Sequence, residues 1–308
     1  MAKQVLVIGG SYFVGRVFAI LCSRTDDFEL HVVNRGNAPI RKEDQGIHEY
    51  RADRHDIGAL VNAIPDIEFD AVVDTCAYNP GEIAPIVKAL GNRIGQYIYI
   101  STASVYINDD HAMHSEGDPI LYESDDNMVA QYICNKAKLE DELKDACAEF
   151  GIPWTIVRPG FIYGPFNYAP RESWFIEKIA HGKPVEHLVD GTAHFSFVYV
   201  TDVAAALQDL VGDERAYNET FNLAAPEIAT NDVFFELLTE NAKNSGVEFS
   251  TVDVTVKETL ERNIAIPWPL TDDELYDGSK FANTFGFKYT PLTEGMAKTF
   301  KSFMNVYA

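Results

Sequence analysis

The chain has 308 residues, 46% hydrophobic and 12% aromatic, which is enough apolar area to exclude general disorder and too long a chain for one small core. Its formal net charge of −22 repels a phosphate backbone and an anionic bilayer, so neither nucleic acid nor membrane is expected as a partner. The four cysteines, Cys22, Cys76, Cys134 and Cys147, form no C-x-x-C pair, which argues against a zinc site and against a disulfide framework. The first residues run directly into a strand without a leader pattern, and no stretch approaches the ~20 apolar residues of a membrane span. A cytoplasmic enzyme with a small-molecule substrate is the expectation, with a homodimer left open.

Residues 4–8 (QVLVI) form a short β-branched run ended by Gly9-Gly10, after which Phe13, Val17, Ile20 and Leu21 recur at helical spacing. Residues 30–33 read as the next strand, 71–74 as another and 96–100 (QYIYI) as a fifth, with amphipathic stretches between them. Residues 130–150 are helical, stop at Gly151 in the expected left-handed position, and lead into a strand at 154–157. Helices follow at about 173–181, 202–211 and 230–244. Strands alternating with helices predict an α/β fold, a Rossmann-type doubly wound parallel sheet. The expected division is a nucleotide-binding domain over 1–164, with 202–224 returning to it, and a smaller substrate-binding lobe over 165–308.

In VLVIGGSYFVGR, Gly9 opens the turn after the first strand, Gly10 permits a sharp bend, and Gly15 lets the helix pack tightly. Gly9, Gly10, Ser11, Tyr12, Phe13, Val14 and Gly15 are thus the expected cradle of a dinucleotide, whose pyrophosphate would face the helix N-terminus. Tyr12 stands where a G-x-x-G-x-x-G turn has its central glycine, and its bulk would press on the pyrophosphate or cover it. The acid expected about 20 residues on to hold the ribose is replaced by Asn34 and Arg35. Asn34 does not repel a 2′-phosphate and Arg35 can pair with one, which favours NADP over NAD as the NAD(P) form bound. A solvated Arg35 beside Gly36 is the alternative.

Tyr132 and Lys136 lie four apart on a predicted helix and leave from one face, an arrangement in which an ammonium lowers the pKa of a phenol that exchanges a proton with a substrate alcohol. The spacing alone says little, because with 15 tyrosines it should arise about once by chance, and it recurs at Tyr276 and Lys280. Placement distinguishes the first pair: it follows the fifth strand, whose end carries Ser101-Thr102-Ala103-Ser104, in the crevice where open parallel sheets bind ligands. Thr102 there can hydrogen-bond the substrate oxygen. Tyr276-Lys280 lacks such a partner and reads as structural.

Together VLVIGGSYFVG, YIYISTASVY, Tyr132-x-x-x-Lys136, WTIVRPGFIYGP, FVYVTDVAAAL, DGSKFANTFGF and PLTEGMAKTF resemble the extended short-chain dehydrogenase/reductase superfamily, in particular its NAD-dependent epimerase/dehydratase branch. The resemblance implies Thr102, Tyr132 and Lys136 as the catalytic set, Lys136 also holding the nicotinamide ribose. It further implies Asp53 and Arg54 by the adenine, Cys76, Ala77 and Tyr78 along the cofactor, Ser101 beside it, and Pro159 with Phe161 near the nicotinamide. Thr102, Ser104, Asn167, Tyr168 and Arg171 are the expected substrate contacts.

Two departures from the resemblance narrow the chemistry. Sugar-nucleotide epimerases carry arginines for the substrate diphosphate where this chain has Phe195 and Ile266-Pro267, leaving Arg171 alone to compensate. Dehydratases follow the catalytic Thr with an Asp-Glu pair, where this chain has Ala103-Ser104, so elimination is not expected. What remains is an NAD(P)-dependent oxidoreductase or epimerase acting on a secondary alcohol or ketone of a sugar-like substrate. The GGSYFVG turn is closest to a subgroup in which some members have lost catalysis, so a catalytically silent, cofactor-binding regulatory or RNA-associated protein is the alternative. His111 and His114 are expected in an exposed loop, with no metal site.

Overall fold

The computed structural model describes residues 2–38, 46–107, 113–124 and 127–307. In chain order the regular elements are β1 (Lys3–Ile8), α1 (Phe13–Cys22), β2 (Phe28–Asn34), β3 (Ile47–Arg51), α2 (Ile57–Ala63), β4 (Ala71–Asp74), α3 (Ala84–Leu90), β5 (Tyr97–Ile100), β6 (Met113–His114), α4 (Met128–Phe150) and β7 (Trp154–Pro159). They continue with β8 (Phe161–Tyr163), α5 (Glu172–Ala180), β9 (Val185–Leu188), β10 (His194–Tyr199), α6 (Val200–Leu210), β11 (Glu219–Leu223), β12 (Ile228–Thr230), α7 (Asn231–Asn244), β13 (Thr251–Val254), α8 (Val256–Glu261), β14 (Leu275–Tyr276), α9 (Ser279–Phe285) and α10 (Leu292–Tyr307).

Seven strands form one sheet in the order β11-β7-β5-β4-β1-β2-β3, and every neighbouring pair is parallel. The strand order reverses between β1 and β4, which makes their carboxyl ends the switch point where ligands of doubly wound folds bind. Strands buried on both faces need apolar residues at every position, and Val5, Leu6, Val7 and Ile8 are all buried. Alternate side chains feed different cores. Val5, Val7, Leu30 and Val32 pack with α1 and α6, whereas Leu6, Ile8, Val72, Tyr97 and Tyr99 pack with Leu139 and Leu143 of α4.

β11 pairs with β7 at the edge of the large sheet, and α6 packs on α1. The remaining strands make a β12-β10-β8 sheet and the pairs β13-β9 and β14-β6. The periodicity leaves the two edge strands of the large sheet, β3 and β11, unlocated; β3 has no fully buried residue, so no apolar run marks it. α4 starts at Met128 because the Asn127 side chain accepts from the N–H groups of Val129 and Ala130 at 2.9 and 3.0 Å. The loop expectation for His114 is corrected: it is buried in β6 with its ring stacked on Tyr106 at 5.1 Å, while His111 lies outside the described residues.

Candidate functional site

A cavity of about 720 Å³ opens at the switch point and runs from the end of β2, past the glycine turn, to the start of α4 and the segment after β7. Gly9 has φ +96°, and a Cβ there would lie 2.7 Å from Cys76 Sγ and Thr75 Oγ1. At Gly15 a Cβ would meet the Gly9 carbonyl oxygen at 2.7 Å, so the helix approaches the turn as the sequence suggests. Gly10 meets a constraint from a neighbouring strand. Its missing side chain lets the turn lie against Val32 of β2, where a Cβ would come within 2.5 Å of Val32 Cγ1, and the cavity wall is made by Gly9 and by Ser11, Tyr12, Phe13, Val14 and Gly15. The N-terminus of α1 has no side-chain cap, and Ser11 Oγ is buried without a partner among the described residues. An uncapped helix N-terminus, an orphaned hydroxyl and a glycine-sized cradle fit a dinucleotide pyrophosphate.

At the other end of the turn, Asn34 is engaged locally: Oδ1 accepts from Gly36 N at 2.7 Å and Nδ2 donates to Glu49 Oε1 at 2.7 Å. Arg35 is exposed on the cavity wall, as is Asp53, which accepts from the backbone of His55 and pairs with its ring at 2.8 Å. Arg54 is buried and makes a bidentate pair with Asp74 at 2.8 and 2.9 Å, plus a bond to the Glu82 carbonyl at 2.6 Å. Burial by itself would raise the Asp74 carboxyl, but the Arg54 charge and the hydrogen bonds from Arg54, Tyr97 and Cys76 hold it below the usual carboxylate range. Arg54 therefore ties the wall together through its two terminal nitrogens. Burial pushes the Cys76 thiol up to about 11, which removes it as a nucleophile.

The third segment carries Ser101, Thr102, Tyr132 and Lys136 on the wall. Lys136 is buried, donates to the carbonyls of Ala77 and Ile100 at 2.9 and 2.6 Å, and is pushed down by burial to about 8. Ala77 thus acts through its carbonyl, while Tyr78 presents its ring 5.1 Å from the ammonium. Tyr132 does not behave as its spacing implies. Although the side chain is 39% exposed at the cavity wall, the protein packed around it desolvates the phenol and pushes it up to about 12, Tyr168 adds to this, and Arg171 rather than Lys136 is the charge that opposes it. With both Lys136 hydrogen bonds directed to carbonyls, the ammonium lies 6.0 Å from the Tyr132 ring.

Ser101 turns away and donates to Glu140 at 2.6 Å, and Glu140 is held by Arg158. This buried network fixes α4 against β5 and β7. Thr102 Oγ1 accepts from Ser104 N at 3.3 Å, and Ser104 Oγ faces Glu274 at 3.5 Å and lies off the wall of the cavity. The other Tyr-Lys pair is spent as expected: Tyr276 donates to Glu274 at 2.7 Å and Lys280 to Glu219 at 2.7 Å.

On the substrate side, Pro159 lines the cavity, but Phe161 packs into a core of Phe195, Phe197 and Trp268, and Gly160 and Ile162 take its place on the wall. Asn167 is buried and donates to both oxygens of Glu172 at 3.1 Å. Arg171 makes one long bond to the Ile162 carbonyl at 3.4 Å and sits 5.5 Å from the Phe161 ring. Sequence reasoning missed Thr75, Asn79 and Glu82, wall residues that follow β4 directly. Their position after a parallel strand was the available signal.

A glycine turn at the switch point of a parallel sheet, continuous with a buried lysine and a tyrosine one helical turn apart, defines a protein of Rossmann-type fold with a candidate dinucleotide site. A model of the NAD dependent epimerase/dehydratase family matches residues 5–224, and the chain belongs to that family. Among solved structures, it superposes on dTDP-glucose 4,6-dehydratase from Bacillus anthracis in complex with NAD with a TM-score of 0.79 and 16% identity, covering 99% of this chain and 97% of the other. UDP-glucuronic acid 4-epimerase from Bacillus cereus, in complex with UDP-glucuronic acid and NAD, gives a TM-score of 0.76 at 18% identity over 99% and 100% of the two chains. The Arabidopsis thaliana chloroplast stem-loop binding protein of 41 kDa b is 30% identical over 242 residues, 75% of this chain and 61% of the relative. UDP-D-apiose/UDP-D-xylose synthase 1 from the same plant is 28% identical over 60% of this chain and 57% of the relative. The chain thus spans about three fifths of the length of these curated relatives. No helix among the described residues is long and apolar enough to cross a membrane.

Proposed function

We propose that this chain binds NAD(P) in the switch-point cavity and acts as an oxidoreductase or epimerase on a secondary alcohol or ketone of a small, sugar-like substrate. The observation that carries the reading is that one cavity of about 720 Å³ has the glycine turn at its middle and Thr102, Tyr132 and Lys136 on the same wall. Gly9, Ser11 and the first turn of α1 would hold the pyrophosphate, Asp53 and Arg35 the adenosine end, and Lys136 the nicotinamide ribose. When bound, the nicotinamide ring accepts or supplies a hydride. Tyr132, protonated at neutral pH, gives its phenolic proton to a carbonyl oxygen in one direction and recovers it from the carbinol in the other. Thr102 orients that oxygen. Pro159, Gly160 and Ile162 exclude water from one side.

Two features support redox or epimerisation over elimination on a nucleotide diphosphate. Ala103 is buried and Ser104 faces Glu274, so no acid follows Thr102. Phe195 is fully buried in the aromatic core, where it cannot meet a diphosphate. An exposed Arg35 beside the neutral Asn34 supports NADP over NAD. The relative named for stem-loop binding makes RNA the rival ligand, and the charge of −22 stands against it.

Calorimetric titration tests the reading. NADP(H) is expected to bind more tightly than NAD(H), a stem-loop RNA not to bind at physiological salt, and Tyr132→Phe to retain the cofactor while losing about 100-fold or more in turnover. Binding of neither dinucleotide would overturn it.

A further inference from the structure

Tyr12 is anomalous in sequence, and its surroundings give it a role. It is the N-cap residue of α1, in extended conformation at φ −129°, and its side chain leaves the turn half exposed. There it meets Tyr168 edge-on, with ring centroids 6.1 Å apart, and Phe13 meets the same ring at 6.4 Å. Tyr168 belongs to the segment 164–169, which follows β8 and lines the same cavity as the glycine turn. Its hydroxyl lies 3.5 Å from that of Tyr78, which follows β4, and the Tyr78 ring stands 6.2 Å from that of Tyr132.

The segment carrying Tyr168 is held at both sides. Phe166, with φ +65°, receives the Arg16 guanidinium of α1 at 5.1 Å, and Asn167 is fixed by Glu172. Tyr12, Phe13, Tyr78, Asn167 and Tyr168 all line the cavity. The aromatic contacts therefore join the glycine turn, where the pyrophosphate would lie, to the segments that follow β8 and β4.

Resting on the NAD(P) reading above, we propose that Tyr168 is a cofactor-retaining residue that closes, with Tyr12, Phe13 and Tyr78, an aromatic clasp over the dinucleotide, and that it serves the cofactor rather than the substrate. A central glycine would leave the clasp without its partner on the turn, so Tyr12 is the residue that completes it. Release then requires the Tyr168 ring to leave Tyr12 and Phe13, which slows dissociation more than it alters association.

The test is the release of NADH and NADPH from the full chain, followed by the loss of nicotinamide fluorescence on mixing with excess oxidised cofactor. Tyr168→Ala is expected to release the reduced cofactor about tenfold faster or more, Tyr12→Ala to accelerate release by less because Phe13 and Tyr78 still meet Tyr168, and the double variant to be no faster than Tyr168→Ala alone, because Tyr12 acts through Tyr168. Tyr168→Phe, which keeps the ring, is expected to retain slow release. Tyr168 is 65% exposed, so its removal leaves the cores intact, and an unchanged melting temperature checks this. Binding with an unchanged release rate in Tyr168→Ala would overturn the clasp and leave the proposed function standing. A wild-type chain that binds neither dinucleotide would overturn both.

Discussion

Glu172 is fully buried, and burial pushes its carboxyl up to about 7 against the opposing hydrogen bonds from Gly164 N and Asn167. Its folded-state pKa lies above its unfolded value, so between about pH 4.5 and 7 the folded chain holds the extra proton, and stability falls as pH rises through this window. Glu172→Gln removes the titration. Relative to wild type the variant is expected to gain up to about 3 kcal/mol between pH 5 and 8, read by urea denaturation at both values. An equal difference at the two pH values would refute this account. The presence of Tyr132 and Lys136 at the site was legible from sequence, because both follow the strand that ends in Ser101-Thr102. The state of the Tyr132 phenol was not, because it depends on desolvation, on Tyr168 and on carbonyls that capture Lys136, all of them distant in the chain.

At the scale of elements, the glycine turn and α1 show how far a motif carries. Gly15 was read correctly as a close-packing position, and the contact is with backbone, at 2.7 Å from Gly9 O and 3.0 Å from Gly10 Cα, which cannot yield as a flexible side chain would. Gly15→Ala is expected to cost about 1–3 kcal/mol and to weaken NAD(P) binding, measured by denaturation and calorimetry; unchanged affinity would show that the turn tolerates the shift. Gly10 carries a constraint from β2 as well, a neighbour no local pattern reveals. The start of α4 rests on Asn127, whose side chain satisfies two of the helix's first N–H groups. Asn127→Ala should cost about 1 kcal/mol, seen as a lower urea midpoint at unchanged m-value. β3 escaped the reading because an edge strand is not required to be apolar on both faces.

Over the whole molecule, 47 acidic against 25 basic side chains produce a self-repulsion that the fold must overcome. Raising NaCl from about 0.1 to 1 M shortens the screening length from about 10 to 3 Å, so the melting temperature is expected to rise by several degrees. A fall would indicate that exposed attractive pairs such as Lys298–Glu294, which salt screens, dominate the balance. The sequence by itself determined the parallel sheet, the cofactor turn and the chain positions of Tyr132 and Lys136, because each depends on local periodicity and on residue types at short spacing. The tertiary structure alone decided which polar groups are free. It committed Ser101, Arg54 and Ser104 to partners across the fold, turned Phe161 and Phe195 into core, and set Tyr12 against Tyr168. The physical reason is that a side chain's availability depends on burial and competing hydrogen bonds, which arise between segments far apart in the chain.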